Sequence, residues 1–308
     1  VRVADIATGS SYGYGGSVAA SSYPYSLTPA GNLLFFSAEA AESGRELWKT
    51  DGTAAGTVLV ADINPSTNSV WPYQGSGSYP SDLTAVGSTL YFTADEGGSR
   101  RLWKTDGETT ERVAAVEVAP LGLAAVDGGL FFTSSSSLSG NELHRLDVGT
   151  GVVETFDFSP GPETIGQVVA FRDSLLFEAE NPGGEGLGGL WRFVAAAAGQ
   201  PAGREFLRGF STLGSLVGNA SGPAILGDHL YFAADDGGGQ SGYELWRTDG
   251  TAAGTSLVAD IFPGTAVAAL PNSSSPWQLT VSGDRLYFGA TDASGPRLWE
   301  SDGTAGGT

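Results

Sequence analysis

Cysteine and methionine are both absent from the 308 residues. Without cysteine there is no disulfide framework, no thiolate nucleophile and no report on the redox compartment. Without an initiating methionine, a chain that starts at Val1 reads as a processed product or an internal piece. Basic residues are scarce: 15 Lys and Arg stand against 34 Asp and Glu, a formal net charge of −19. Phosphate backbones and anionic membrane surfaces repel such a chain, so nucleic acid is not expected as a partner. No apolar run nears the roughly 20 residues of a bilayer span, so no membrane insertion is expected. Only two histidines occur. No HExxH or P-loop pattern accompanies them, so zinc-hydrolase and nucleotide chemistry have no sequence signature.

Glycine, by contrast, is abundant at 47 residues, and aromatics make up 10 %. No stretch sustains a helical period. The apolar residues fall in short β-branched or aromatic runs bounded by Gly, Asp, Ser and Pro, the pattern of an all-β chain.

The chain repeats itself. Glu46-Leu47-Trp48-Lys49-Thr50-Asp51-Gly52-Thr53, continuing to Gly56-Thr57 and on to Ile63, returns nearly intact from Glu244 to Ile261. Leu102–Gly107 and Leu298–Thr304 are further copies; Leu143–Asp147 is weaker, and Leu190–Phe193 keeps only the opening. A second marker precedes each: Leu34-Phe35-Phe36, Leu90-Tyr91-Phe92, Leu130-Phe131-Phe132, Leu175-Leu176-Phe177, Leu230-Tyr231-Phe232 and Leu286-Tyr287-Phe288, spaced 56, 40, 45, 55 and 56 residues. In the fifth unit four strands read at 223–226, 229–233, 243–248 and 255–262. Four strands per unit at this spacing predict a β-propeller. The reading is all-β: a single six-bladed β-propeller over 1–308 with four antiparallel strands per blade. Its blades cover roughly 24–63, 80–118, 121–158, 165–210, 222–262, and 276–308 together with 1–6. The last assignment follows because Val1-Arg2-Val3-Ala4-Asp5-Ile6 matches Val58–Ile63 position for position, so the N-terminal strand is expected to complete the last blade.

Trp48, Trp103, Trp191, Trp246 and Trp299 share one repeat position, with His144 in the third unit. A Trp at a fixed strand position is expected to pack between neighbouring blades rather than serve as a sugar-stacking shelf. The Asp-Gly pairs at Asp51, Asp106, Asp249 and Asp302 start hairpins, where Gly accepts positive φ and Asp bonds a nearby N–H. A calcium loop is the sharper alternative, but one carboxylate per hairpin falls short of a calcium ligand set, so no cofactor is expected.

Function is expected on the face that carries the long connections 7–23, 64–79, 211–221 and 263–275, where Ser, Gly, Asn and aromatics gather. Tyr25, Trp71, Tyr73 and Trp277 are the candidate ligand-binding aromatics. Glu39, Asp95, Glu180 and Asp235, each three residues beyond the second-strand Phe, form a candidate acidic rim. These carboxylates could equally pair with Arg45, Arg100, Arg101 or Arg297. No catalytic residue and no metal ligand is singled out.

The units at Glu46–Ile63 and Glu244–Ile261 resemble the ELWxxDGT repeat of bacterial secreted and surface proteins. The resemblance implies a propeller and a secreted or cell-surface location. The hairpin is also similar to the Asp-box turn of sialidase-type propellers. The functional expectation is a binding or adhesion module recognising glycan or protein through the loop face. The alternatives are a carboxylate-based glycoside hydrolase or lyase there, or a structural module of a larger surface protein. Oligomeric state has no sequence signal.

Overall fold

A computed structural model describes every residue except 1, 8–9, 14–15, 20, 41, 66–76, 137–139, 157, 159–162, 181–187, 197–200, 215, 217–221, 240 and 266–269. All described regular structure is β apart from one 3-10 turn at Ala305–Gly307. A hairpin of β1 (Ser10–Gly13) and β2 (Gly16–Ala19) comes first. An antiparallel meander follows, of β3 (Tyr25–Ala30), β4 (Leu33–Ala40), β5 (Gly44–Thr50) and β6 (Val58–Ala61). The next holds β7 (Ser81–Val86), β8 (Thr89–Glu96), β9 (Ser99–Thr105) and β10 (Thr110–Arg112). Then come β11 (Pro120–Val126), β12 (Gly129–Ser136), β13 (Gly140–Asp147) and β14 (Val153–Phe156), followed by β15 (Glu163–Phe171), β16 (Ser174–Glu180), β17 (Gly188–Val194) and β18 (Gly203–Phe210). A short parallel bridge from Gly140–Asn141 to Glu163–Thr164 joins these two meanders.

After them, β19 (Thr212–Leu213) and β20 (Ala224–Leu226) both pair with β21 (His229–Asp235), which continues to β22 (Glu244–Thr248) and β23 (Ser256–Ala259). The last sheet has three described strands, β24 (Trp277–Ser282), β25 (Arg285–Asp292) and β26 (Gly295–Ser301). Residues 2–7 lie in no strand, and among the described residues β26 pairs with β25 alone. The chain divides into two compact units, residues 1–135 with 144–154, and 136–143 with 155–308.

The period-2 alternation of a strand explains the repeated Leu-aromatic-Phe triplet. In β8, Leu90 and Phe92 pack with Phe35 and Leu47 of the preceding sheet. The intervening Tyr91 turns the other way and packs, with Leu102, against Leu130 and Phe132 of the following one. In the second unit Leu230 and Phe232 join Phe171, Leu190, Phe210 and Trp246, while Tyr231 joins Leu245, Leu286 and Phe288. Each core is therefore a layer between two successive sheets, and one triplet supplies both faces of its own sheet. The tryptophans follow the expectation of packing: Trp246 and Trp191 are buried, and Trp103 and Trp299 lie against the core layers.

Candidate functional site

In the first two meanders the turn between the second and third strands is flanked by an acid and an arginine in cross-strand register. Glu39 faces Arg45, and their side chains meet at 3.4 Å. Asp95 faces Arg100 at 3.2 Å. Asp292 and Arg297 approach to 3.9 Å at the corresponding end of the last sheet. The arginines also hold the incoming chain: Arg45 donates to the Tyr23 carbonyl at 3.1 Å and lies 4.9 Å over the Tyr25 ring. Arg100 donates to the Tyr79 carbonyl at 3.3 Å, to Thr93 Oγ1 at 2.8 Å, and to Ser81 Oγ. Tyr23 and Tyr79 both have positive φ, 40° and 48°, a strained backbone that these contacts secure.

Two of the four rim carboxylates, Glu39 and Asp95, are thus paired with arginines. Glu39, Arg45 and Tyr25 come together, and the Tyr25 hydroxyl donates to the Pro80 carbonyl at 3.4 Å. Asp235 turns inward on its own chain, its Oδ1 accepting from Gly237 N at 2.8 Å. Glu180 is exposed, and its backbone carbonyl takes the Trp191 indole N–H at 3.2 Å. Trp277 is half-buried and crosses to Gly289, where a Cβ would lie 2.1 Å from its ring; the indole occupies the space a side chain would need. Trp71 and Tyr73 lie outside the described residues.

The Asp-Gly turns are built by hydrogen bonds within the turn. Asp51 Oδ1 accepts Thr53 N at 2.8 Å and Thr53 Oγ1 at 2.7 Å, Thr53 Oγ1 accepts Gly56 N at 2.9 Å, and Thr50 and Thr57 hydroxyls meet at 2.7 Å. The same pattern recurs around Asp249 and Asp302. A Cβ on Gly56 would come within 2.1 Å of Asp51 Oδ1, so the motif requires glycine there as well as after the Asp. The Thr53 hydroxyl, then its N–H, holds the Asp51 carboxyl below its usual range, and Thr251 and Thr304 do the same for Asp249 and Asp302. Among the described residues no group of three or more His, Asp or Glu could hold a metal.

Two features escaped the sequence reading. Ser134 Oγ and His144 Nε2 stand 2.7 Å apart, with the imidazole stacked on Phe132 at 5.1 Å. The distance is that of a nucleophile and its base, but both residues are buried, 2 % and 4 % exposed, so no substrate reaches the pair. Where the other five triplet strands carry Ala two residues beyond the Phe, this one carries Ser, and its partner strand has His at the Trp position. The second feature is the opening Glu of the repeat. Glu46 and Glu244 are fully buried. Burial pushes both carboxyls upward, Glu46 to about 7, against the lowering effect of bonds from Ser78 and Ile63 in one case and Ser274 and Ile261 in the other. The repeat offered the signal: a Glu in a core strand, with Ser78 and Ser274 at matching positions before the next unit.

No family model matches the chain, and no curated protein matches it. Solved structures do. A prolyl endopeptidase structure, from work on inter-domain dynamics in catalysis and specificity, aligns over 92 % of this chain with a TM-score of 0.60 and 11 % identity. A puromycin-hydrolyzing peptidase of Mycobacterium tuberculosis aligns over 94 %, with TM-score 0.59 and 13 % identity. The chain spans less than half of those proteins, 42 % and 43 %. The β-propeller domain of the Trilobed protease from Pyrococcus furiosus, which has an open velcro topology, aligns over 92 % of this chain and 84 % of its own length, with TM-score 0.53 and 14 % identity. These matches correct the functional expectation. The glycan- or protein-recognising adhesion module, with its glycosidase and surface-module alternatives, gives way, because these matching structures are of peptidases and of a protease's propeller domain. At these identities the likeness establishes architecture alone, and the chain has the all-β fold of a β-propeller.

Proposed function

We propose that this chain is a non-catalytic propeller domain that works beside a peptidase domain carried by the same protein, its movement against that domain governing substrate entry. The observation that carries the reading is the match over more than nine-tenths of this chain to less than half of a prolyl endopeptidase and a puromycin-hydrolyzing peptidase. The sealing of the Ser134–His144 pair, the one nucleophile-and-base distance among the described contacts, supports a supporting role. The test is peptide hydrolysis by the gene product that contains residues 1–308. That protein is expected to cleave chromogenic prolyl or aminoacyl peptides, while the 308-residue chain by itself leaves them intact. Deleting 1–308 should relax the limit on substrate size. A gene product without a hydrolase domain, or one whose size selection is unchanged by the deletion, would overturn the proposal.

The finer architecture belongs to the same reading: six blades, with Val1–Ile6 as the fourth strand of the last. Its support is the match of Val1–Ile6 to Val58–Ile63 and the exposure of Leu298, 79 %, where Leu47, Leu102, Leu143, Leu190 and Leu245 are at 0 %. Transferring the register Leu47↔Ala61 and Trp48↔Leu59 pairs Leu298 with Ala4 and Trp299 with Arg2. The chain has no cysteine of its own, so the double variant Ala4→Cys/Leu298→Cys is a clean probe. An intramolecular disulfide on oxidation is expected. Free thiols, or a disulfide between two molecules, would sink this closure.

A further inference from the structure

Five tryptophans share one repeat position, and their indole nitrogens divide four to one. In β5, β9, β22 and β26 the Nε1 atoms of Trp48, Trp103, Trp246 and Trp299 are sealed from solvent, and none has a hydrogen-bond acceptor among the described residues. In β17 the Trp191 N–H donates to the Glu180 carbonyl at 3.2 Å. The cross-strand register is the same throughout. Trp191 lies opposite Phe177, as Trp48 does Phe36, Trp103 Phe92, Trp246 Phe232 and Trp299 Phe288. A carbonyl equivalent to that of Glu180, three residues past the Phe, therefore exists in every case, at Glu39, Asp95, Asp235 and Thr291.

What separates Trp191 is the residue two places before it. Gly189 stands there, and a Cβ on it would lie 2.7 Å from Trp191 Nε1. The edge of the indole uses the room a side chain would take and so reaches the carbonyl directly. The other four sheets carry Glu46, Arg101, Glu244 and Arg297 at that place. Residues two apart on a strand share a face, so each of these long side chains crowds its indole on the side where Gly189 leaves room. In the fifth sheet the carbonyl is also taken, since Asp235 O accepts Ser211 N at 2.7 Å and Ser211 Oγ at 2.9 Å. A second donor is stranded beside that indole. Arg208 Nε is buried without an acceptor among the described residues, and its guanidinium lies 4.5 Å over the Trp246 ring.

We propose that these four places are binding sites for single internal water molecules, one at Nε1 of each of Trp48, Trp103, Trp246 and Trp299, and that Trp191 has no such site. The ligand has to be a lone-pair acceptor small enough for a packed layer. Glu46 and Glu244 share the strand faces of Trp48 and Trp246, which makes an anion the poorer fit. Water accepts from the indole and also donates. Its own O–H groups are directed to the carbonyls of Glu39, Asp95 and Thr291, the counterparts of the one that Trp191 uses without an intermediary. At Trp246 the two lone pairs of one water serve Nε1 and Arg208 Nε together. An N–H left unpaired inside a packed layer is costly, whereas a water with two to four polar partners is an ordinary part of a folded core.

A crystal structure of the chain fine enough to show ordered water tests this. One oxygen is expected about 2.7–3.2 Å from Nε1 of Trp48, Trp103, Trp246 and Trp299, and none at Trp191. Oxygen-17 relaxation dispersion gives an independent reading in solution by counting long-lived internal waters. Trp103→Phe, which keeps a ring and removes the donor, should lower that count by one, and Trp191→Phe should leave it unchanged. A dry indole nitrogen or a direct protein acceptor at any of the four would overturn the proposal. So would a count that stays the same in Trp103→Phe or falls in Trp191→Phe.

Discussion

Replacing Trp246 by alanine should destabilise the second unit by about 3–5 kcal/mol, the range for truncating a buried aromatic. The ring is only 2 % exposed. It meets Phe210 edge-on at 5.2 Å and 86°, lies opposite Phe232 in cross-strand register, and carries the Arg208 guanidinium 4.5 Å over its face. Truncation leaves the Phe210, Phe232 and Leu190 surfaces facing a void that the flanking sheets, held by their own ladders, cannot close. It also strips Arg208 of a contact of about 0.5–1 kcal/mol. Trp246→Phe keeps an edge-on ring and should recover at least half of the loss. Guanidinium unfolding followed by far-UV circular dichroism measures this without relying on indole fluorescence. The midpoint should fall with little change in slope. Leu270→Ala, at an exposed site, serves as the control and should stay within about 0.5 kcal/mol. A cost below about 1 kcal/mol for Trp246→Ala, or one no larger than the control's, would refute the assignment of this repeat position to inter-sheet packing.

Gly254→Ala should cost about 1–3 kcal/mol by overpacking, because the new methyl would fall 2.0 Å from Asp249 Oδ1; the same unfolding assay reads it. The turn aspartates Asp51, Asp249 and Asp302 have carboxyls held low, so their stabilisation is present above the ordinary carboxylate value and is lost as pH falls through their own lower values. Thr251→Ala should accordingly move the Asp249 carbon-13 titration midpoint upward, and an unmoved midpoint would remove the hydroxyl from the account. Ser134→Ala leaves His144 Nε2 without its hydroxyl partner and should cost about 1–3 kcal/mol. Adding His144→Trp to Ser134→Ala restores the pair found in the other sheets and should regain most of that; a double variant no more stable than Ser134→Ala would show that the sheet has diverged beyond this pair.

Strand content, the order of the repeats and the burial of their apolar residues were legible because each is a local property. A Leu-aromatic-Phe triplet can bury its two faces only in an extended strand between two layers, so Leu90, Tyr91 and Phe92 announced both neighbours before any coordinates. The fifth-unit strands show the same, falling within two residues of the sequence expectation for three of the four. The loop chemistry was not legible, because the same residue types serve binding and anchoring. Whether Glu39 reaches for a ligand or for Arg45 depends on a cross-strand register that composition does not encode.

By itself the sequence determined the unit: four strands, a glycine-dependent Asp turn, and an apolar layer on each side, since these follow from side-chain periodicity and backbone sterics. Only the tertiary structure decided what the polar members of the unit do. It turned a repeated Glu into a buried fastener by bringing Ser78 and Ser274 back across 32 and 30 residues, and it sealed Ser134 and His144 away from solvent. The physical reason is that desolvation and partner choice belong to the packed environment, which is assembled from residues far apart along the chain.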